Sequence, residues 1–554
     1  MGSIRGKVIE TAWTNRKVYQ FIDLRYAEAP SGVSSFKNPR PIPSWKGIYN
    51  AMVEKTGCLS IESLTTKFRH YDIDMDLEDC LTMTITTPNI TGNYPVLVYI
   101  HGEGLFDGRN NEAPPEYLLE KDIVLVTPQY RLGPFGFLST LSEDIPGNVG
   151  VMDIYLALNF IKTFITSFGG DPNKITLAGQ VGGAAIAHAL TLSPIVQPGL
   201  FHQVIYHSGS ALSPVFIDDN PRDHALDIAQ RAGCTNLTTL FDLDDCLMRL
   251  NPIQLLSAYI EHARDNVQNG GNHFTIGSPV LPVHPTVLMA AMKNFSYPAM
   301  GGVPRNAGTL LLTQIFQGDF NGLIPDDEYN AFGYINHVLE QIVGQDDKMI
   351  MTSFAHHEFF TPELLENGTF SSLVPSLVDM AGTLMYKLPV LLALNMNQKY
   401  LPHQTFLYSF DYRGEFNRYP DLDEELNNQS PFKAGVSLTD EALYLFPNPD
   451  HVKHLNPTDT LIAKQMVELW TSFVINGQPS MASNRGGYWP PMTTLYGPYL
   501  KIDETLTVGG NYFKEFTATR NDHERGIKLI RDNYYKKKEN EEEERSIIII
   551  DNLN

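Results

Sequence analysis

The chain reads as an α/β protein, with a mostly parallel central sheet flanked by helices, and three observations predict this. Short, nearly continuous apolar runs recur at residues 96–101, 123–127, 174–177 and 203–206, bounded by Pro, Gly or polar residues. Such runs suit strands buried on both faces of a parallel sheet. Between them lies a helical pattern at residues 153–168, where Ile154, Leu158, Ile161 and Ile165 recur on one wide face. Strands alternating with helices specify parallel crossover units. The third observation is residues 174–192: an apolar strand, a glycine-rich turn, then a small-residue helix.

Taken in order, residues 7–9 and 18–21 form an antiparallel opening. A strand begins near Leu81-Thr82, and the parallel elements follow. The second half is richer in helices and loops. Residues 457–475 predict a helix that stops at Asn476-Gly477, with Trp470 and Phe473 on one side. Residues 499–502 read as a late strand. Residues 526–535 form a short amphipathic helix through Ile527, Ile530 and Tyr534. With no repeat and no long linker, residues 1–535 make one domain. Residues 536–554, opening on the charge run KKKENEEEER, are a solvated tail.

The net charge is −22, of which −2 falls on residues 521–554, so −20 sits on the body. That field excludes nucleic acid and acidic membranes and favours basic or calcium-bridged partners. The acidic patches at 218–223, 242–245 and 421–425 lack EF-hand spacing. Nor does any motif imply a cofactor or a metal site. Four cysteines fall in two local pairs, Cys58/Cys80 and Cys234/Cys246, which suit small disulfide loops in an oxidising compartment; four free thiols are the alternative. Sequons at Asn89, Asn236, Asn294, Asn367 and Asn428 permit secretion at a frequency chance also supplies. Residues 1–7 lack the apolar core of a signal peptide, and Gly6 breaks the myristoylation pattern. No unbroken apolar run reaches the roughly 18 residues of a membrane span, so no transmembrane segment is expected in this chain.

The turn Gly179-Gln180-Val181-Gly182-Gly183 has the spacing in which a hydrolase carries its nucleophile, G-x-S-x-G, with Val181 where the serine belongs. Ordered blocks surround it: Glu78-Asp79-Cys80-Leu81, then 130–137 (YRLGPFGF), 146–153 (PGNVGVMD), 168–172 (FGGDP) and Ser208-Gly209-Ser210. In these blocks the chain resembles the cholinesterase/carboxylesterase (type B) family over nearly its whole length. The resemblance implies an α/β-hydrolase fold carrying a Ser-His-Glu triad and an oxyanion hole of backbone N–H groups.

Position by position, that implication fails on the chemistry. The nucleophile position is Val181. The acid's segment G-x-x-x-x-E-G matches residues 302–308, which puts Ala307 where the glutamate belongs, and the histidine position is Leu438. The oxyanion turn is matched by Gly102, Glu103 and Gly104, with a carboxylate where glycine is expected. Without a hydroxyl there is no acyl-enzyme, and without the imidazole nothing activates water. Ser208 and Ser210 have no histidine that any motif assigns to them, and His101 reads as structural.

The resemblance therefore points to the family's catalytically inactive, cholinesterase-like adhesion group. It implies an extracellular recognition domain for a protein ligand, secreted or part of a cell-surface protein, and a homodimer through helices near 457–475 and 526–535. The alternatives are a small-molecule binder that keeps a hydrophobic gorge, and a hydrolase with a relocated site. A choline-type site is disfavoured, because the Cys58 to Cys80 loop holds no tryptophan, only Phe68 and Tyr71. One geometric expectation follows. With no chemistry to preserve, Val181 should relax to negative φ or pass its strain to Gly182, and its side chain should pack inward.

Overall fold

The computed structural model describes residues 2–516, apart from 55–56, 61–77, 103, 266–272, 293–296, 320–329, 344–347, 418–434, 448–454 and 482–487. Outside the described residues lie Glu103, Asn294, Asn428, Phe68, Tyr71, the acidic stretch 421–425, the 526–535 segment and the charged tail.

Among the described residues, eleven strands form one sheet: β1 (Lys7–Glu10), β2 (Lys17–Arg25), β3 (Thr82–Thr87), β4 (Tyr94–Ile100), β5 (Val124–Pro128), β6 (Gly170–Gln180), β7 (Gln203–His207), β8 (Ala299–Pro304), β9 (Thr405–Phe410), β10 (Tyr499–Ile502) and β11 (Thr507–Gly509). Their order is β11-β10-β9-β8-β7-β6-β4-β5-β3-β2-β1. The seven strands from β10 to β5 pair in parallel. The pairs β1–β2, β2–β3, β3–β5 and β10–β11 are antiparallel. This is the mostly parallel sheet that the apolar runs predicted, in the α/β-hydrolase arrangement that the resemblance implied. Strands β8, β9 and β11 are additional to the sequence reading; Ala299–Pro304 carries two glycines and a proline and shows no apolar run, which hides β8.

The central strands bury both faces. Val96, Val98, Ile100, Val126 and Leu177 point to a core shared with helices α1 (Val149–Phe164) and α2 (Gly182–Leu192). Leu97, Tyr99, Leu125, Ala178 and Ile205 point the other way, to a core shared with α3 (Pro457–Asn476). Pro457 opens α3, Asn456 caps it by accepting from the Asp459 N–H at 2.8 Å, and Gly477 ends it at φ 72°. Its apolar stripe of Ile462, Met466, Trp470 and Phe473 is spent on the sheet. A homodimer through this helix would have to use its narrow outer side, around Leu461.

Both cysteine pairs are disulfide-bonded, with Cα separations of 4.9 Å for Cys58–Cys80 and 6.1 Å for Cys234–Cys246. The count of unbroken apolar runs overlooked two helices with interspersed polar residues. Val149–Phe168 and Ser372–Tyr400 are long and apolar enough to cross a membrane, with mean hydropathies of 1.4 and 1.5. In this fold they are packing elements, and the most apolar 18-residue window of the second is 94% buried.

Candidate functional site

Strand β6 ends at Gln180 and α2 begins at Gly182, so one residue makes the whole reversal. That residue is Val181, at φ 47°, ψ −105°. The expected relaxation did not occur, and Gly182 is not at positive φ either. The reason lies in the neighbours. Gln180 is held in the ladder opposite His207, and the Val181 N–H donates to the His207 carbonyl at 2.8 Å. The Val181 carbonyl already accepts the first helical bond, from the Ala185 N–H at 3.0 Å. No residue remains over which to spread the turn.

Glycines then lock α2 against the sheet. A Cβ on Gly179 would meet Gly183 backbone at 2.2 Å, and one on Gly183 would meet the Ile100 carbonyl at 2.2 Å. A Cβ on Gly209 would strike the Val181 carbonyl at 2.0 Å. The elbow is a property of the packed backbone, and it holds a β-branched residue at a cost on the order of 1–3 kcal/mol. The other half of the expectation held: the Val181 side chain is 4% exposed, in the main core.

The oxyanion segment lies on this elbow. An added Cβ on Gly102 would meet the Gly183 nitrogen, and one on Gly182 would meet Leu105. Gly104 and Leu105 both take positive φ, 79° and 69°, and Leu105 is wholly buried over Gly182.

The turn after β8 and the loop carrying Leu438 are bonded together. The Asn306 N–H donates to the Val436 carbonyl at 2.9 Å, and the Val436 N–H donates to Asn306 Oδ1 at 3.0 Å. Ala307 and Leu438 flank this clasp, at 0% and 3% exposure. Val181, Ala307 and Leu438 all belong to the main buried cluster, and Val181 follows β6 and Ala307 follows β8, at the C-terminal end of the parallel strands where open α/β sheets place their sites.

Three polar groups lie beside that cluster. Ser208, at φ 56°, donates to Glu441 Oε1 at 2.8 Å, with the Tyr408 hydroxyl alongside. Burial pushes the Glu441 carboxyl up to about 8, against which the Ser208 bond acts only partly. His207 Nε2 accepts from Trp470 Nε1–H at 3.0 Å. The third group is a contact that no motif assigned. Ser210 does have a histidine: its Oγ lies 2.9 Å from His188 Nδ1 on α2. Ser210 Oγ also accepts the Leu212 N–H at 3.1 Å. The signal available was His188 seven residues past Val181, two turns along α2 toward the Ser208-Gly209-Ser210 block.

This serine–histidine pair is badly placed for catalysis. Ser210 and His188 are 0% and 3% exposed, and burial holds the imidazole down to about 3. A base that weak gains little from taking a serine proton at neutral pH. His101 is structural, as read. It stacks on Tyr130 at 4.7 Å, and burial, with Arg109 nearby, lowers it to about 3.

The carboxylesterase family model matches residues 1–520. Glutactin of Drosophila melanogaster is 35% identical over 515 residues, 91% of this chain and 49% of glutactin, so the chain spans about half that protein's length. Juvenile hormone esterase of Tribolium castaneum is 28% identical over 87% of this chain and 84% of its own length. Esterase FE4 of Myzus persicae is 28% identical over 89% and 86%. These matches run through the parallel sheet, the strand–helix elbow and both disulfides, and with them the chain belongs to the carboxylesterase family.

Proposed function

We propose that this chain is a non-catalytic, extracellular recognition domain of the carboxylesterase family that binds a protein partner. The observation that carries it is Val181. The nucleophile elbow keeps its strained backbone, yet the residue on it has no atom able to attack an ester. Ala307 and Leu438 stand where the family's acid and base are expected, and neither side chain transfers a proton. The likeness to glutactin and the two disulfides support a place outside the cell. Asn89, Asn236 and Asn367 are exposed, which leaves room for glycans there. The body charge of −20 favours a basic partner, or one bridged by calcium.

The test is capture. The glycosylated chain, immobilised and offered an extracellular fraction with and without calcium, should retain a partner saturably, and raised salt should weaken that retention. Retention no greater than on an unrelated protein of equal negative charge would refute the recognition role.

A further inference from the structure

Residues in register across a sheet share a face, and one row runs Lys7, Gln20, Thr86, Leu125, Leu97 from the β1 edge to the centre. Toward the edge the row turns polar, and Thr84 paired with Thr127 repeats this two residues along. Residues 110–116 roof that end of the face and leave a cavity of about 180 Å³. At roughly 30 Å³ per water, it holds a small polar head group and a short stem. Gln20, Thr86, Thr127 and Asn110 on its walls are buried, so polar groups have been taken out of water around an empty volume.

Most of these groups are occupied. Gln20 Nε2 donates to Thr86 Oγ1 at 3.4 Å, and Asn110 Nδ2 donates to Asp23 Oδ1 at 2.7 Å. Asn111 Nδ2 donates to Glu54 Oε1 at 2.7 Å across the mouth. Glu116 differs. Its Oε2 is buried without a hydrogen-bond partner, and burial raises the carboxyl above its ordinary range, although a bond from its own backbone N–H and the Lys7 charge act the other way. Among the described residues the lining therefore holds two carboxylates, Glu116 and Glu54, against one cation, Lys7. It offers acceptors in excess, with Ile22, Pro114 and Leu125 as apolar walls.

We propose that this cavity receives a guanidinium or ammonium head group whose N–H donors satisfy Glu116, and that its physiological source is a basic side chain of the protein partner. The second clause rests on the recognition role above; the first stands on the cavity alone.

Saturation-transfer NMR on the intact chain tests it, with N-acetyl-arginine amide as probe and N-acetyl-citrulline amide as the uncharged isostere. Arginine should show transfer and citrulline none. Glu116→Gln should weaken arginine about tenfold or more, the scale of one charged hydrogen bond. Thr86→Val should weaken it several-fold with folding intact, and Glu54→Gln, at the exposed mouth, serves if Glu116→Gln fails to fold. Equal transfer from citrulline, or an arginine signal indifferent to all three variants, overturns the proposal. An arginine-bearing peptide that binds more tightly than free agmatine supports the partner as source; the reverse order overturns that clause. Occupancy by the small probe together with failed partner capture would sink the recognition role and leave the cation site standing.

Discussion

Replacing Asp153 by Ala should cost about 3–5 kcal/mol of stability, the scale for stranding one member of a buried ion pair. Arg131 and Asp153 are 3% and 0% exposed on the side chain. Arg131 donates from Nε to Asp153 Oδ2 at 2.8 Å, from its terminal nitrogen to Oδ1 at 2.6 Å, and from its backbone N–H to Oδ2 at 3.0 Å. Its remaining nitrogen donates to the Ser35 and Lys37 carbonyls at 2.9 and 2.7 Å. This one guanidinium ties together the N-terminal loop, the turn after β5 and the start of α1. An added Cβ on either Gly136 or Gly150 would hit the Arg131 carbonyl, which is why glycines stand in both blocks. Denaturant midpoints check the prediction. The double variant Arg131→Met/Asp153→Leu should lose less than either single removal of charge, because neither partner is left unpaired. Additive losses would mean that the pair carries no coupling.

The fold should be acid-labile well above the carboxylate range. Burial lowers His101, His188 and His207 to about 3 and His273 to about 4. For a base whose folded value lies below its unfolded one, the stabilising contribution is complete above the unfolded value, near 6.5. It drains as pH falls, because the unfolded chain takes up protons that the folded chain refuses. Each histidine then loses about 2 kcal/mol between about pH 7 and about pH 5. Glu441 acts oppositely. Its folded value, about 8, lies above the unfolded one, so its contribution is complete below the unfolded value and drains as pH rises through about 8. Over the same two units it returns about 2–3 kcal/mol, and the net loss is on the order of 5 kcal/mol. That is comparable with the whole stability of many domains. Urea midpoints falling steeply between those two pH values are expected, and His188→Gln should remove one proton from the uptake on unfolding. A flat midpoint would contradict the burial of these rings.

Much of this architecture was legible because its signals are local. Apolar runs at 96–101, 123–127 and 203–206 became β4, β5 and β7 almost to the residue, and the Asn476-Gly477 stop marked the end of α3. Paired cysteines and the ordered blocks gave the disulfides and the family. What stayed hidden depends on distance. The Ser210–His188 contact joins a loop to a helix 22 residues earlier. The cation-receiving cavity arises from residues as far apart as Lys7 and Thr127. Val181 keeps its strained turn for a different reason: its torsional cost is local and legible, but the close backbone contacts of Gly179, Gly183 and Gly209, which leave the turn no second conformation, form only in the packed fold.

The central claim is that the chain keeps the hydrolase elbow without hydrolase chemistry, and labelling with a fluorophosphonate tests it most directly. The folded protein, incubated with excess probe and examined by intact mass, should gain nothing, and short-chain aryl esters and acylcholines should turn over no faster than in buffer. The same should hold for Val181→Ser, because Ala307 and Leu438 would still occupy the positions of the family's acid and base. A mass increase of one probe molecule on the unsubstituted chain, mapped to a serine such as Ser210 and abolished by heat denaturation, would show an active nucleophile and contradict the account.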